Sequence, residues 1–104
     1  MSVSIFNVSI FHSLSMPAKR IKVIGMVQGV FFRVRAKNLA DKLGLKGWIR
    51  NCADGSVEIH AEGTGEALKE LESWCHRGPP DARVEEVRVE SVPERGLTMF
   101  EVAR

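Results

Sequence analysis

Between Val23 and Arg33 the chain reads Val-Ile-Gly-Met-Val-Gln-Gly-Val-Phe-Phe-Arg, with two glycines four residues apart and an arginine four beyond the second. Glycine reaches backbone conformations closed to other residues, so a turn through Gly25, Met26, Val27, Gln28, Gly29 and Val30 can aim successive N–H groups at one anion. The helix expected to begin at Phe32 would add free N–H groups and the positive end of its dipole, and a phosphate is the natural occupant of such a cradle. Arg33 is a cation in the first turn of that helix, where it opposes the dipole by about 0.3–1 kcal/mol. Its side chain leans back toward the helix start and can bring a planar fork over the loop to bind two phosphate oxygens. Glycine spacing alone fits a tight strand-to-helix turn with a surface arginine equally well, and no Gly-Lys-Ser/Thr follows to make a Walker loop.

A second constellation runs Gly47-Trp48-Ile49-Arg50-Asn51-Cys52-Ala53-Asp54-Gly55-Ser56-Val57. Asn51 falls where a hairpin should turn, and its carboxamide, both donor and acceptor, could hold a water against a phosphorus. Asparagine is also a common turn residue that bonds its own backbone, and taken alone it reads more readily that way. Ser56 is a candidate to contact the asparagine or its water from behind. His60 falls on the polar side of its strand and is expected in solvent, Cys75 and His76 adjoin a helix end, and Cys52 has no evident partner to activate it.

The elements that must position these groups follow from hydrophobic periodicity. Lys19 to Ile24 alternates as a strand and stops at Gly25. Phe32, Ala36, Leu39, Ala40 and Leu43 form one stripe of an amphipathic helix with Gly44 as its C-terminal stop. Lys46 to Asn51 and Val57 to Glu62 are the arms of a hairpin. Thr64 caps a second helix with Ala67, Leu68, Leu71, Trp74 and Cys75 on one face, ended by Gly78-Pro79-Pro80. Val84, Val87, Val89 and Val92 mark a strand with a bulge or frayed start at the Val84–Val87 spacing, and Phe100 with Val102 a short last one. This order predicts an α+β, ferredoxin-like βαββαβ sandwich: an antiparallel sheet, both helices on one face, and a short extra C-terminal strand.

Both constellations resemble the two signature patterns of the acylphosphatase family. Gly25 to Arg33 is similar to its G-x-V-Q-G-V-x-F-R loop, and Gly47 to Val57 to its G-W-V-x-N-x-x-x-G-x-V pattern. Ile49, where the family usually has valine or alanine, departs by one methylene. The resemblance covers about Ala18 to Arg104 and leaves 1–17 unmatched. It implies that the amides of Gly25 to Val30 and the side chain of Arg33 bind the phosphoryl group of an acyl phosphate and that Asn51 positions the attacking water, with no metal and no cofactor. Carboxylate is a good leaving group, so charge stabilisation and a placed water can carry most of the catalysis.

Composition bounds the alternatives. A chain of 104 residues, 44% hydrophobic and 27% charged, builds one domain. Fifteen basic and thirteen acidic residues leave a net charge of +2, which is no nucleic-acid footprint. The exposed aromatic pairs of RNA-binding sheets are not evident in Ile21–Ile24 or Val57–Glu62. The two cysteines, without a C-x-x-C pair, are expected as reduced thiols in a cytoplasmic protein. Residues 1–17 lack a basic first region and any long apolar run, so they are expected to be a flexible extension or an overextended start rather than an export signal, and residues 18–104 the domain. The expected partner is a small-molecule acyl phosphate, with no nucleic acid and no membrane, bound by a monomer. The competing expectation is a non-catalytic anion-binding or regulatory module.

Overall fold

The computed structural model describes residues 16–103. All but Met16 and Pro17 of the expected N-terminal extension lies outside the described residues. The elements are β1 (Ala18–Met26), α1 (Phe32–Lys42), β2 (Lys46–Asn51), β3 (Val57–Glu62), α2 (Gly65–Cys75), β4 (Arg83–Ser91) and β5 (Phe100–Val102). They form one five-stranded sheet in the order β4-β1-β3-β2-β5. The first four strands pair antiparallel, whereas β5 runs parallel to β2, with Gly47 opposite Phe100 and Ile49 opposite Val102. The sheet is therefore mixed, and the extra strand extends it on the β2 side.

Alternation decides what each face meets. Ile49, Ile59, Ile21 and Val89 stand opposite one another across β2, β3, β1 and β4. The first three are fully buried and share one core with Phe32, Ala36 and Ala40 of α1 and Leu68, Leu71 and Cys75 of α2. Both helices thus lie over that side. Phe32 and Trp74 join them ring to ring, 5.0 Å between centroids and tilted by 58°. The row one residue along, Trp48, His60, Arg20 and Glu90, belongs to the opposite face.

On that face His60 differs from expectation. It is fully buried rather than in solvent. Trp48 stacks on it at 5.8 Å, and its Nε2 lies 2.7 Å from Glu62 Oε2. Glu62 also accepts the N–H of Arg95 at 2.6 Å and of Leu97 at 3.1 Å, which pins the segment leading from β4 toward β5. Burial opposes the Glu62 carboxylate more than any other single influence, yet the His60 hydrogen bond and the two backbone donors together hold its pKa below the usual value. The polar face of the strand is occupied here by the Trp48 ring stacked on His60 and by the 95–97 segment tied to Glu62, and strand periodicity alone carries no trace of either contact.

The irregular valine spacing of β4 is a bulge. Ile24 pairs with Glu86 and Gly25 with Val84, which leaves Glu85 as the extra residue. Gly25 is consequently part of β1 and not of the turn after it. At its φ of 141°, a Cβ would run into the carbonyl oxygen of Arg83 and stand 2.9 Å from the Glu85 nitrogen, so close strand packing at the bulge is one reason this residue is glycine.

Candidate active site

The loop from Val27 to Phe31 links β1 to α1 and is anchored from beneath, by the buried Val27 and by Val30 packed against the core. Gly29 takes φ 77° with nothing near the position a Cβ would occupy, so it is conformation rather than space that favours glycine there. Phe31 follows at φ 65°, the only non-glycine residue in the left-handed region among the described residues. For a bulky side chain that conformation costs on the order of 1–3 kcal/mol.

Phe31 is also the N-cap of α1, and it provides no side-chain cap; the first turn holds no acidic residue. The opening N–H groups and the positive dipole end of α1 are therefore uncompensated among the described residues. Arg33 stands in that first turn, half-buried, with no carboxylate or hydrogen-bond partner among the described residues. Val27, Gly29, Phe31, Phe32, Arg33, Val34, Asn51 and Val102 line a cleft of about 390 Å³. Among the described residues Arg33 is its sole charged lining residue.

Asn51 reaches the cleft from the last position of β2. Its Oδ1 is buried and has no hydrogen-bond partner among the described residues. Leaving a buried acceptor unmade costs about 1–3 kcal/mol, and an acceptor in this position suits a donor held in the cleft. The turn that follows Asn51 is tightly organised. Asp54 Oδ1 accepts the Ser56 N–H at 2.9 Å and the Ser56 hydroxyl at 2.6 Å, while Asp54 Oδ2 pairs with Lys22 Nζ at 3.0 Å. The Ser56 hydrogen bonds come first among the causes that hold the Asp54 carboxyl far below its ordinary pKa, with Lys22 adding to them.

The structure thus brings Val27, Gly29, Arg33 and Asn51 to one cleft. Gly25, Met26 and Ser56 border a neighbouring depression shared with Lys22, Asp54 and Arg88. The hydroxyl of Ser56 is turned to Asp54 rather than to Asn51. Two features were missed in the sequence. The first is the side chain of Gln28, whose Nε2 donates to the carbonyl of Cys52 at 2.8 Å and of Ser56 at 3.0 Å, clasping the loop to the hairpin that carries Asn51. The second is the apolar rim formed by Phe31, Val34 and Val102, of which Val102 arrives only through the parallel pairing of β5. The nearby thiols take no part in a bridge: Cys52 and Cys75 are both free, and burial, with the Glu72 charge second, pushes the Cys75 thiol up to about 12.

The acylphosphatase family pattern matches residues 19–102. An acylphosphatase of Synechococcus sp. (strain WH7803) is 53% identical over 83 residues, 80% of this chain and 83% of that one. One of Aeropyrum pernix is 53% identical over 83 residues, 79% of this chain and 82% of the other. The crystal structure of the acylphosphatase from Bacillus subtilis superimposes with a TM-score of 0.83 at 38% identity, covering 86% of this chain and all of that one. With the family pattern matched over most of its length and relatives about half identical to it, the chain belongs to the acylphosphatase family.

Proposed function

We propose that this chain hydrolyses carboxyl phosphates to carboxylate and inorganic phosphate, without a metal, using the backbone from Gly25 at the end of β1 through Val30 of the following loop, Arg33 and Asn51. The observation that carries the reading is the shared cleft. Among the described residues, an unpaired guanidinium, an uncapped helix start and an orphaned buried amide oxygen meet there, and no carboxylate lines it. The phosphoryl group docks against the loop and first-turn N–H groups, with the fork of Arg33 on two of its oxygens. A water donates to Asn51 Oδ1, which turns a lone pair of that water toward phosphorus. Attack in line forms the new P–O bond as the bond to the acyl oxygen breaks; the water proton passes to the phosphate, and the carboxylate leaves without a general acid. Gln28 holds the two halves of the site in register through its clasp, and Ser56 acts one step further back, in the turn behind Asn51.

Lysine at position 33 keeps the charge and loses the fork, so Arg33→Lys is expected to fail nearly as badly as Arg33→Ala. The chain works as a monomer in the cytoplasm on a small substrate, a setting that two free thiols suit. No helix among the described residues is long and apolar enough to cross a membrane.

The test is turnover of benzoyl phosphate with and without chelator, wild type beside Arg33→Ala. Rapid hydrolysis that survives chelator and falls by on the order of 10² or more in the variant supports the reading. A folded wild type that binds inorganic phosphate but turns nothing over would leave an anion-binding module instead.

A further inference from the structure

Phe31 burdens the fold twice. Its side chain is 75% exposed, and its backbone sits at φ 65°, where glycine or asparagine is at ease and a bulky residue is strained. Neither burden is offset by packing, because the ring lies outside the buried core. It lines the cleft instead, with Val34, 53% exposed, and Val102, 38% exposed. A volume of about 390 Å³ lies within the usual range of small-molecule sites, roughly 300–1,000 Å³, and is far more than one phosphoryl group fills. Once Arg33 and Asn51 hold the phosphoryl end, the rest of a bound substrate meets walls whose exposed side chains are apolar.

We propose that Phe31, with Val34 and Val102, forms a shelf for the acyl group and makes this enzyme select acyl phosphates with extended apolar acyl chains over acetyl phosphate. The inference rests on the hydrolase reading above and deepens it. The acyl group is therefore held in the cleft, not left in solvent. Anionic acyl groups are disfavoured on the same shelf, since among the described residues no cation other than Arg33 lines the cleft and that one is engaged by phosphate. Three residues from two elements contribute: Phe31 and Val34 flank Arg33 at the start of α1, and Val102 comes from β5.

The experiment compares kcat/KM for straight-chain acyl phosphates of two, four and six carbons, whose carboxylates are nearly equal leaving groups, so chain length changes only the apolar contact. Wild type is expected to gain on the order of tenfold from two to six carbons, as for methylenes about half removed from water. Phe31→Asn, which suits the left-handed backbone, and Val102→Ser should each flatten that rise, while inhibition by inorganic phosphate reports whether the phosphoryl half is intact. A wild type indifferent to chain length, or a rise that persists in both variants, overturns the shelf but leaves the hydrolase standing. Absence of turnover of all three substrates by folded wild type overturns the hydrolase reading and the shelf together.

Discussion

Gln28→Met separates the alignment of the site from its chemistry. Methionine has nearly the same length and shape as glutamine but no N–H, so the substitution deletes the two hydrogen bonds from Gln28 Nε2 to the Cys52 and Ser56 carbonyls. Neither carbonyl is orphaned: Ser56 O still accepts the Cys52 N–H at 2.8 Å, and Cys52 O still accepts the Gly55 N–H at 3.1 Å. The desolvation penalty of an unmade buried acceptor therefore does not arise, and the loss is limited to the net value of two neutral bonds. Gln28 is exposed, which places each toward the low end of the range, so the clasp contributes about 1–2 kcal/mol.

If that free energy holds the loop in register with Asn51, its loss appears in the transition state, where about 1.4 kcal/mol is tenfold in rate. Steady-state kinetics with benzoyl phosphate should then show kcat down about tenfold. The inhibition constant of inorganic phosphate should change less than threefold or so, because the loop amides and Arg33 remain. Thermal unfolding should fall by several degrees, at roughly 4–8 °C per kcal/mol for a domain of this size. A variant that lost the stability and kept its kcat would refute the alignment role and make the clasp a purely structural tie. Gln28→Glu provides a steeper control, since a carboxylate would face two carbonyls and the approaching phosphate.

Two further outcomes test the frame. Glu62 and Asp54 both have carboxyl pKa values depressed by folding, so the stability they contribute is complete above the unfolded carboxylate range, about pH 4, and is lost as pH falls through their lower folded values. Urea unfolding should accordingly weaken between about pH 5 and pH 2, less steeply in Glu62→Gln, and an unchanged slope in that variant would remove Glu62 from the account. Gly47→Ala should cost about 3 kcal/mol or more, since at φ 145° its Cβ would collide with the His60 carbonyl oxygen and stand 3.1 Å from the Ala61 Cα; near wild-type stability on denaturant titration would contradict the close β2–β3 approach.

How far the sequence disclosed this arrangement depended on whether the controlling contact was local. The stripe from Phe32 through Ala40 and the Thr64 cap, whose hydroxyl accepts the Ala67 N–H at 3.2 Å, are properties of single helices and were legible as such. The gap between Val84 and Val87 betrayed a bulge because bulges break a period of two within one strand. The partner of that bulge was not legible, so Gly25 read as part of a turn when it belongs to β1 against the bulge. His60 read as solvated for a related reason: the Trp48 ring stacked on it comes from the neighbouring strand, and the Glu62 carboxylate it bonds is held by Arg95 and Leu97, more than thirty residues away. Val102 could be placed in a strand, but its position at the cleft depends on the parallel pairing to β2, which no local pattern encodes.

The two helices, each of 11 residues, supply an internal comparison. At the start of α2 every local preference is met, with a threonine cap in extended conformation, an acidic residue in the first turn, and no strain. At the start of α1 each is violated within three residues: Phe31 is strained and caps nothing, no acid balances the dipole, and Arg33 adds a cation at the positive end. Chains are locally consistent where stability alone governs, and the exceptions concentrate where a site demands them. An anion at the start of α1 would reverse the sign of all the electrostatic violations at once, meeting the free N–H groups, the dipole and Arg33 together. The strain at Phe31 is not electrostatic and no phosphate relieves it, which is why that residue points past the phosphoryl group to whatever the phosphoryl group is attached to.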